Sequence, residues 1–261
     1  MKKFNKKSLG QNFLIDKNIS KKITKLVKIN NRNIIEIGPG KGALTDEILK
    51  HKPRTLTLIE KDEDLSKSLK EKYSKNEFVK NITADILNFD LEKLNLKNSI
   101  IIGNLPYNIS SQILVKLLRF SKWLPFYSDI IFMFQKELGE KILGKFSTKN
   151  YGRISILTSY RLALCKKFEV SPSCFFPQPK IKSIVIHFKP VTNKVILKDI
   201  KNLEKVTQIL FSNKRKMIKK NFFKIFKRKH VRKFDNLNLC LRPSELNEEF
   251  YYQATEIFEN S

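Results

Sequence analysis

The sequence has few of the residues that bind metals or form disulfide bonds. It contains three cysteines and three histidines, and no two cysteines form a CxxC pair. Three cysteines (Cys165, Cys174, Cys240) do not suggest a disulfide framework, and the scattered histidines do not have the spacing of zinc ligands. We therefore expect no metal site, and we expect these residues to have packing or surface roles.

Long apolar runs and a balancing number of acidic residues are missing as well. No stretch approaches the ~20 apolar residues that a membrane-spanning helix needs, and the Lys-rich start lacks the apolar core of a signal peptide. The 52 basic residues outnumber the 25 acidic ones and give a net charge of +27. We expect a cytoplasmic protein whose partner is a polyanion, with an acidic membrane surface as the second candidate.

The first 190 residues alternate short apolar runs with amphipathic segments. The strand candidates are NIIEI, TLTLIE, FVKNITA, SIIIG and DIIFMF, each followed by a polar or helical segment. This alternation predicts a mostly parallel sheet with helices on both faces. KKFEV and KIKSIVIHF alternate more strictly around a Pro-rich loop, which predicts an antiparallel hairpin that closes the sheet.

After Pro190 the strand signals stop and three helical patterns follow: LKDIKNLEKVTQILF (197–211), KMIKKNFFKIF (216–226) and PSELNEEFYYQATEIF (243–258). We therefore predict two domains, residues 1–190 with a basic N-terminal arm and residues 191–261 as a small all-helical domain.

The stretch from residue 205 to residue 234, which we call the basic segment, contains twelve Lys or Arg and no acid. Such a concentration of one charge predicts an RNA-binding surface. Phe222, Phe223 and Phe226 recur within it at helical spacing. This spacing favours the buried face of one helix over base-stacking groups.

A glycine-rich loop, EIGPGKGA, follows the first predicted strand. Gly38 and Gly40 let the backbone turn tightly and approach a ligand at the carboxyl edge of the sheet. Glu60 ends the second strand 20 residues after Gly40, where its carboxylate can accept hydrogen bonds from both hydroxyls of a ribose. Asp85 follows the third strand and is placed to meet a base edge.

This loop alone also fits a dinucleotide-binding dehydrogenase, and ordinary glycine turns with helix-capping acids would explain it without any ligand. Two acidic residues favour S-adenosylmethionine over a dinucleotide: Glu36 at the end of the first strand and Asp85 after the third.

The fourth strand ends in a sequence that suits methyl transfer to an amine. Asn104 offers a side-chain carbonyl, Leu105 a backbone carbonyl, and Pro106 stiffens the loop. An adenine amino group is a poor nucleophile because its lone pair is delocalised, so two acceptors that hold its protons out of the ring plane would favour a tetrahedral nitrogen. Tyr107 can stack on the base. The alternative is a plain strand-to-helix turn capped by Ser110.

Seven motifs extend this pattern along nearly the whole chain. They are KKSLGQNFL at 6–14, EIGPGKGALT at 36–45, IEKD at 59–62, GNLPYNISS at 103–111, FQKELGEKI at 134–142, YGRISIL at 151–157 and SPSCFFPQPKIKS at 171–183, and LRPSEL at 241–246 follows in the tail. In this order they resemble the ribosomal RNA adenine N6-dimethyltransferase family, and its bacterial KsgA branch in particular. The resemblance implies a Rossmann-like class I methyltransferase fold, with a mostly parallel seven-stranded sheet, an antiparallel hairpin and a small helical C-terminal domain.

The resemblance also implies roles for individual residues. The positions expected to contact S-adenosylmethionine are Asn12, Leu14, Gly38, Glu60, Asp85 and Asn104, to which the glycine loop adds Gly40. The target adenine would be held by Asn104, Leu105, Pro106 and Tyr107, with Phe175 stacking on its second face. From the residues alone, Phe175 is a hydrophobic anchor of its loop. Gln112 and Gln178 depart from the family pattern, which puts the rigidity of their loops in doubt.

The implied function is N6-dimethylation of two adjacent adenosines in the 3′-terminal hairpin loop of small-subunit (16S) rRNA. The implied partner is the pre-30S ribosomal particle, with a role in 30S biogenesis, and we expect a monomer. A large-subunit rRNA methyltransferase of the macrolide-resistance type shares the fold and an Asn-x-Pro-Tyr motif, although NLPYNIS and the LRP-containing tail favour the first function. A ribosome-assembly module whose catalysis is incidental is the third possibility.

Overall fold

The structure, a computed structural model, describes residues 12–94, 96–234 and 237–261. Residues 1–11, the first part of the predicted basic arm, lie outside the described residues. The chain divides into two units. The first comprises residues up to 116 with 124–139 and 164–190, and the second comprises 117–123, 140–163 and 191–261. Two segments before residue 190 thus group with the tail rather than with the sheet.

Strands and helices alternate as the sequence predicts. The strands are β1 (Phe13–Leu14), β2 (Asn33–Ile37), β3 (Thr55–Glu60), β4 (Val79–Thr83), β5 (Ser99–Asn104), β6 (Tyr127–Gln135), β7 (Leu162–Val170), β8 (Phe175–Phe176) and β9 (Ser183–Pro190). The helices are α1 (Lys17–Thr24), α2 (Ala43–Lys50), α3 (Glu63–Lys72), α4 (Ser110–Leu118), α5 (Lys136–Ile142), α6 (Arg153–Arg161), α7 (Ile200–Leu210), α8 (Lys219–Phe222) and α9 (Glu248–Glu259). Within the described residues, no helix is long and apolar enough to cross a membrane.

The main sheet has seven strands in the order β4-β3-β2-β5-β6-β9-β7. Strands β4, β3, β2, β5 and β6 pair in parallel, and β9 pairs antiparallel with β6. Their residues are apolar almost continuously because both faces of the central strands are covered; Ile34, Ile35, Ile101 and Ile102, for example, are fully buried. The predicted mostly parallel seven-stranded sheet is confirmed.

The order of the strands determines where a ligand can bind. From β2 the chain adds β3 and β4 on one side and then returns to add β5 and β6 on the other. Open α/β sheets bind ligands in the crevice at the carboxyl ends of the strands where this reversal occurs. The crevice here lies between β2, which leads into the glycine loop, and β5, which ends at Asn104.

A second, two-stranded sheet was not predicted. Strands β1 and β8 pair antiparallel, with Phe13 opposite Phe176 and Leu14 opposite Phe175. Leu14 and Phe175 are buried and belong to the hydrophobic core around β2, β3 and β5. Through this sheet, Phe13 and Leu14 pair with the Pro-rich loop.

The second unit confirms two of the three helices predicted after residue 190. Helices α7 and α9 form, whereas the helix predicted over 216–226 shortens to α8, residues 219–222. At the start of this helix the backbone N–H groups of Ile218 and Lys219 donate to the carbonyls of Leu241 and Leu239. Phe222 and Phe226 are buried as expected, but Phe223 is 39% exposed.

Candidate active site

A cleft opens at the carboxyl ends of the parallel strands, within the first unit. The empty space between its lining residues, together with the open solvent at its mouth, amounts to about 1230 Å³. Its lining includes nearly every predicted site residue: Asn12, Leu14, Gly38, Gly40, Glu60, Asp85, Asn104, Leu105, Pro106 and Tyr107. The cleft thus brings together distant residues such as Asn12 and Asn104, which are 92 positions apart in the chain.

The glycine loop adopts a conformation that suits glycine at each of its three positions. Gly38, Gly40 and Gly42 have φ values of +66°, +58° and +82°, in the left-handed region. A Cβ atom at Gly40 would lie 3.0 Å from the ring of Phe13, so the loop and strand β1 are in close contact. Gly38 and Gly40, which line the cleft, thus present backbone without a side chain there.

Glu60 connects strand β3 to the glycine loop. Its Oε2 accepts a hydrogen bond from the N–H of Gly40 at 3.1 Å, and its Oε1 accepts one from the N–H of Asp62 at 2.9 Å. Burial raises the pKa of the Glu60 carboxyl, and these backbone hydrogen bonds act against the rise. The contact of Glu60 with a ribose remains a prediction, but the carboxylate lies in the cleft with its orientation fixed.

Asp85 is paired with a lysine that sequence reasoning did not single out. The Nζ of Lys61 donates to Oδ2 of Asp85 at 2.8 Å, and the N–H of Leu87 donates to Oδ1 at 2.9 Å. The hydrogen bond from Lys61 holds the pKa of the Asp85 carboxyl below its usual range. An ionised acceptor therefore stands where a base edge with an amino group was expected.

Glu36 is the most deeply buried acid of the cleft, with 1% exposure. The hydroxyl of Thr45 donates to its Oε2 at 2.7 Å. Burial raises the pKa of Glu36 to about 8, because a carboxylate loses its hydration there. Glu36 is therefore mostly protonated at neutral pH in the ligand-free protein.

The side chain of Asn104 is oriented by the segment that precedes β1. Its Nδ2 donates to the backbone carbonyl of Asn12 at 3.0 Å, which leaves Oδ1 as the group that can accept from a ligand. A Cβ atom at Gly38 would lie 3.8 Å from the carbonyl oxygen of Asn104, so the ends of β2 and β5 approach closely.

Tyr107 is anchored at its hydroxyl. The hydroxyl forms a 2.6 Å hydrogen bond with Oγ of Ser183, which is fully buried at the start of β9. Ser110 begins helix α4, but its hydroxyl donates to the carbonyl of Tyr107 instead of accepting from a backbone N–H as an N-cap does. The predicted position of Ser110 at the start of a helix is correct, but the predicted hydrogen bond from a backbone N–H to its hydroxyl is wrong.

Phe175 has a different environment from the other predicted site residues. It is 2% exposed and packs in the core cluster beside Leu14. This matches the anchoring role expected from the residues alone, and its role in stacking on the target base stays a prediction. The neighbouring Phe176 is 59% exposed.

Sequence reasoning missed three residues that shape the cleft: Phe13, Lys61 and Ser183. Lys61 lies between Glu60 and Asp62 in the motif IEKD, in which only the acidic residues were considered as candidates. Phe13 and Ser183 act through pairing over more than 70 residues, for which no local pattern exists. Among the described residues, no cluster of three His, Cys, Asp or Glu could hold a metal.

Comparison with known proteins gives a match over almost the whole chain. The model of the family described as ribosomal RNA adenine dimethylase matches residues 2–260. A protein of Pelagibacter ubique named ribosomal RNA small subunit methyltransferase A is 42% identical over 98% of this chain and 97% of its own length. A protein of the same name from Malacoplasma penetrans is 36% identical over 95% of this chain and 90% of its own.

Two solved structures share the fold. A dimethyladenosine transferase from Plasmodium falciparum superposes with a TM-score of 0.76 at 23% identity, covering 95% of this chain and 98% of that one. The 23S rRNA methyltransferase ErmE gives a TM-score of 0.69 at 22% identity, covering 95% and 100%. The predicted Rossmann-like class I methyltransferase fold is confirmed. Because the family model matches nearly the whole chain and the sequence relatives agree with it, the chain belongs to the ribosomal RNA adenine dimethylase family.

Proposed function

We propose that this protein uses S-adenosylmethionine to dimethylate N6 of two adjacent adenosines in the 3′-terminal hairpin loop of small-subunit rRNA. The single observation that carries the proposal is the orientation of Asn104, whose Nδ2 is held by Asn12 so that Oδ1 can accept from the target amine. The names of the sequence relatives support the small ribosomal subunit as the substrate, and they favour it over the large-subunit alternative.

The cleft fits S-adenosylmethionine. The glycines of the loop present backbone without side chains, the Glu60 carboxylate can accept from the ribose diol, and the ionised Asp85 can accept from the adenine amino group. Asn12, Leu14, Gly38 and Gly40 line the same space. S-adenosylmethionine would supply an electrophilic methyl group on a sulfonium, which leaves as a neutral thioether.

The remaining chemistry lies with the acceptor amine. Oδ1 of Asn104 and the backbone carbonyl of Leu105 accept hydrogen bonds from the two N6–H groups, which hold these protons out of the ring plane. The nitrogen lone pair is then released from the ring and can attack the methyl carbon in line, while the two oxygens stabilise the positive charge that develops. One N6 proton then passes to solvent, which leaves the methylated amine neutral. Pro106 stiffens the loop, and Tyr107 stacks on the base with its ring fixed by Ser183.

The second unit supplies a surface for RNA. Every Lys and Arg of the basic segment is exposed, including Lys219, Lys220 and Lys224. We assign residues 191–261 to RNA binding, and we assign the protein to the cytoplasm as a monomer that acts on the pre-30S particle during 30S biogenesis. Phosphate contacts would make that binding strongly dependent on salt.

Methyl incorporation into small ribosomal subunits that lack this modification tests the proposal. Asn104→Ala should lower incorporation by a factor of about 100 or more, as expected for removal of a group that stabilises transition-state charge. Asn30→Ala, which changes an exposed asparagine before β2, is the matched control and should transfer methyl groups like the wild type. Wild-type transfer by Asn104→Ala would contradict the assigned role, and no transfer by the wild-type protein would contradict the function.

A further inference from the structure

The rim of the cleft carries an exposed phenylalanine with no part in the proposed reaction. Phe176 on β8 is 59% exposed, whereas its neighbours Cys174 and Phe175 are buried. An exposed aromatic ring beside a ligand cleft has a free face on which a base can stack.

The register of the small sheet places this ring next to the cleft. Phe176 is directly opposite Phe13 in the antiparallel pair β1–β8. Side chains that are directly opposite lie on the same face of a sheet, with Cβ atoms about 4.5–5.5 Å apart. Phe13 lines the cleft and contacts Gly40 of the glycine loop. Phe176 thus lies beside the Phe13 ring, which lines the cleft, and one strand further out, whereas Phe175 packs in the core.

The surroundings of Phe176 are suited to a nucleic acid chain. Lys41 lies 4.8 Å from the ring centre of Phe13 and is exposed, and Lys180 is exposed four residues after Phe176. Aromatic rings interleaved with exposed basic side chains are how proteins hold single-stranded RNA, because the bases stack while the cations meet the phosphates.

We propose that Phe176 stacks on the base of the nucleotide next to the target adenosine and so holds the RNA strand at the cleft. This rests on the proposed function, in which the two target adenosines are neighbours in a loop of unstacked bases. When one base enters the cleft, its neighbour loses a stacking partner. The Phe176 ring supplies a replacement and keeps the second adenosine close to the site at which it will react.

The test compares four variants for binding to unmethylated small ribosomal subunits, for the KM of those subunits, and for affinity for S-adenosylmethionine. Phe176→Ala should weaken subunit binding and raise the KM by about tenfold, as expected for the removal of one base stack, and leave cofactor affinity unchanged. Phe176→Leu, which keeps apolar volume without a π face, should behave like Phe176→Ala. Phe176→Tyr should behave like the wild type.

Phe78→Ala is the matched control. Phe78 is another partly exposed phenylalanine of the first unit, 39% exposed, and it precedes β4 at the amino end of the parallel strands, away from the cleft. It should bind subunits and cofactor like the wild type.

Three outcomes would overturn the proposal: wild-type subunit binding by Phe176→Ala, wild-type binding by Phe176→Leu, or an equal loss of cofactor affinity, which would indicate support of Phe13 instead. Subunit binding requires no methyl transfer, so the proposal can be judged even if the proposed reaction fails. If Asn104→Ala abolishes transfer while Phe176→Ala binds normally, only the role of Phe176 is wrong.

Discussion

At the scale of single residues, the cleft places carboxyl groups of different protonation close together. Glu36 is fully desolvated and its pKa is raised to about 8, whereas Lys61 lowers the pKa of Asp85. The difference follows from environment, because burial disfavours a charge and a nearby cation favours it. One carboxyl can therefore donate a hydrogen bond at neutral pH while the other can only accept.

The protonation of Glu36 makes stability depend on pH. A carboxyl whose pKa rises on folding, here from 4.5 to about 8, binds its proton more tightly in the folded state. Its stabilising contribution is therefore complete below pH 4.5 and is lost as the pH rises through about 8. The Glu36→Gln variant has no carboxyl at this position and does not lose stability in this way. The free energy of unfolding of the variant minus that of the wild type should therefore rise by a few kcal/mol between pH 4.5 and pH 8.5.

Urea denaturation of the cofactor-free proteins at several pH values measures this difference. Glu77→Gln, which changes an exposed glutamate outside the cleft, is the control. If the difference between Glu36→Gln and the wild type does not change with pH, folding does not raise the pKa of Glu36.

At the scale of secondary-structure elements, the site depends on how closely β2 and β5 approach. A Cβ atom at Gly103 would lie 2.5 Å from the carbonyl oxygen of Ile37 and 3.0 Å from Cδ2 of Leu105. Neither the strand backbone nor a side chain that is 2% exposed can move away without disturbing the acceptors at Asn104 and Leu105. Glycine at position 103 is thus what allows the glycine loop and the acceptor loop to meet.

Gly103→Ala should therefore destabilise the protein by about 1–3 kcal/mol, the usual cost of overpacking, and weaken cofactor binding. Denaturant unfolding and calorimetric titration measure the two effects. Gly152→Ala is the control, because a Cβ atom there meets nothing within 4 Å and the backbone is extended. If Gly103→Ala equals Gly152→Ala in both measurements, the close approach of the strands is not important.

The elements also show what sequence can and cannot predict. Strands β2 and β3 match the apolar runs NIIEI and TLTLIE at both ends, because a buried parallel strand is bounded by polar turns. The two-residue strands β1 and β8 are too short for any periodicity, and their pairing joins segments more than 150 residues apart. The helix predicted over 216–226 shortens to α8, and periodicity cannot foresee the backbone hydrogen bonds that reach Leu239 and Leu241 at its start.

The sequence likewise predicts some residues of the candidate site and not others. Gly38, Glu60, Asp85 and Asn104 were predictable because each follows a strand, and the carboxyl ends of parallel strands meet at one edge. Ser183, which fixes Tyr107, lies on an antiparallel strand that begins at this edge, and its partner is 76 residues away. Such tertiary hydrogen bonds leave no local signal.

At the scale of the whole molecule, the net charge of +27 is the dominant feature. The basic segment contributes exposed cations without a single acid between residues 205 and 234. Binding to RNA then releases condensed counterions, so the logarithm of affinity falls linearly with the logarithm of salt concentration.

Replacing Lys219, Lys220 and Lys224 by glutamine should make that salt dependence shallower, by about one unit of slope for each phosphate that the protein no longer neutralises. Filter binding to small ribosomal subunits over a series of salt concentrations measures the slope. Lys28, Lys75 and Lys97, exposed residues of the first unit that precede strands, provide a control with the same change in charge. Equal slopes for the two triple variants would mean that net charge alone, and not the basic segment, binds the RNA.

We infer that two neighbouring adenosines of small-subunit rRNA receive their methyl groups in the cleft between β2 and β5. Mass spectrometry of rRNA fragments, after incubation of unmethylated small subunits with the protein and S-adenosylmethionine, gives the site and the number of methyl groups together. We predict two N6-dimethyladenosines next to each other in the 3′-terminal hairpin loop, and far less of this product with Asn104→Ala over the same incubation time. Methyl groups at any other position, or a single modified adenosine after the reaction is complete, would contradict the claim.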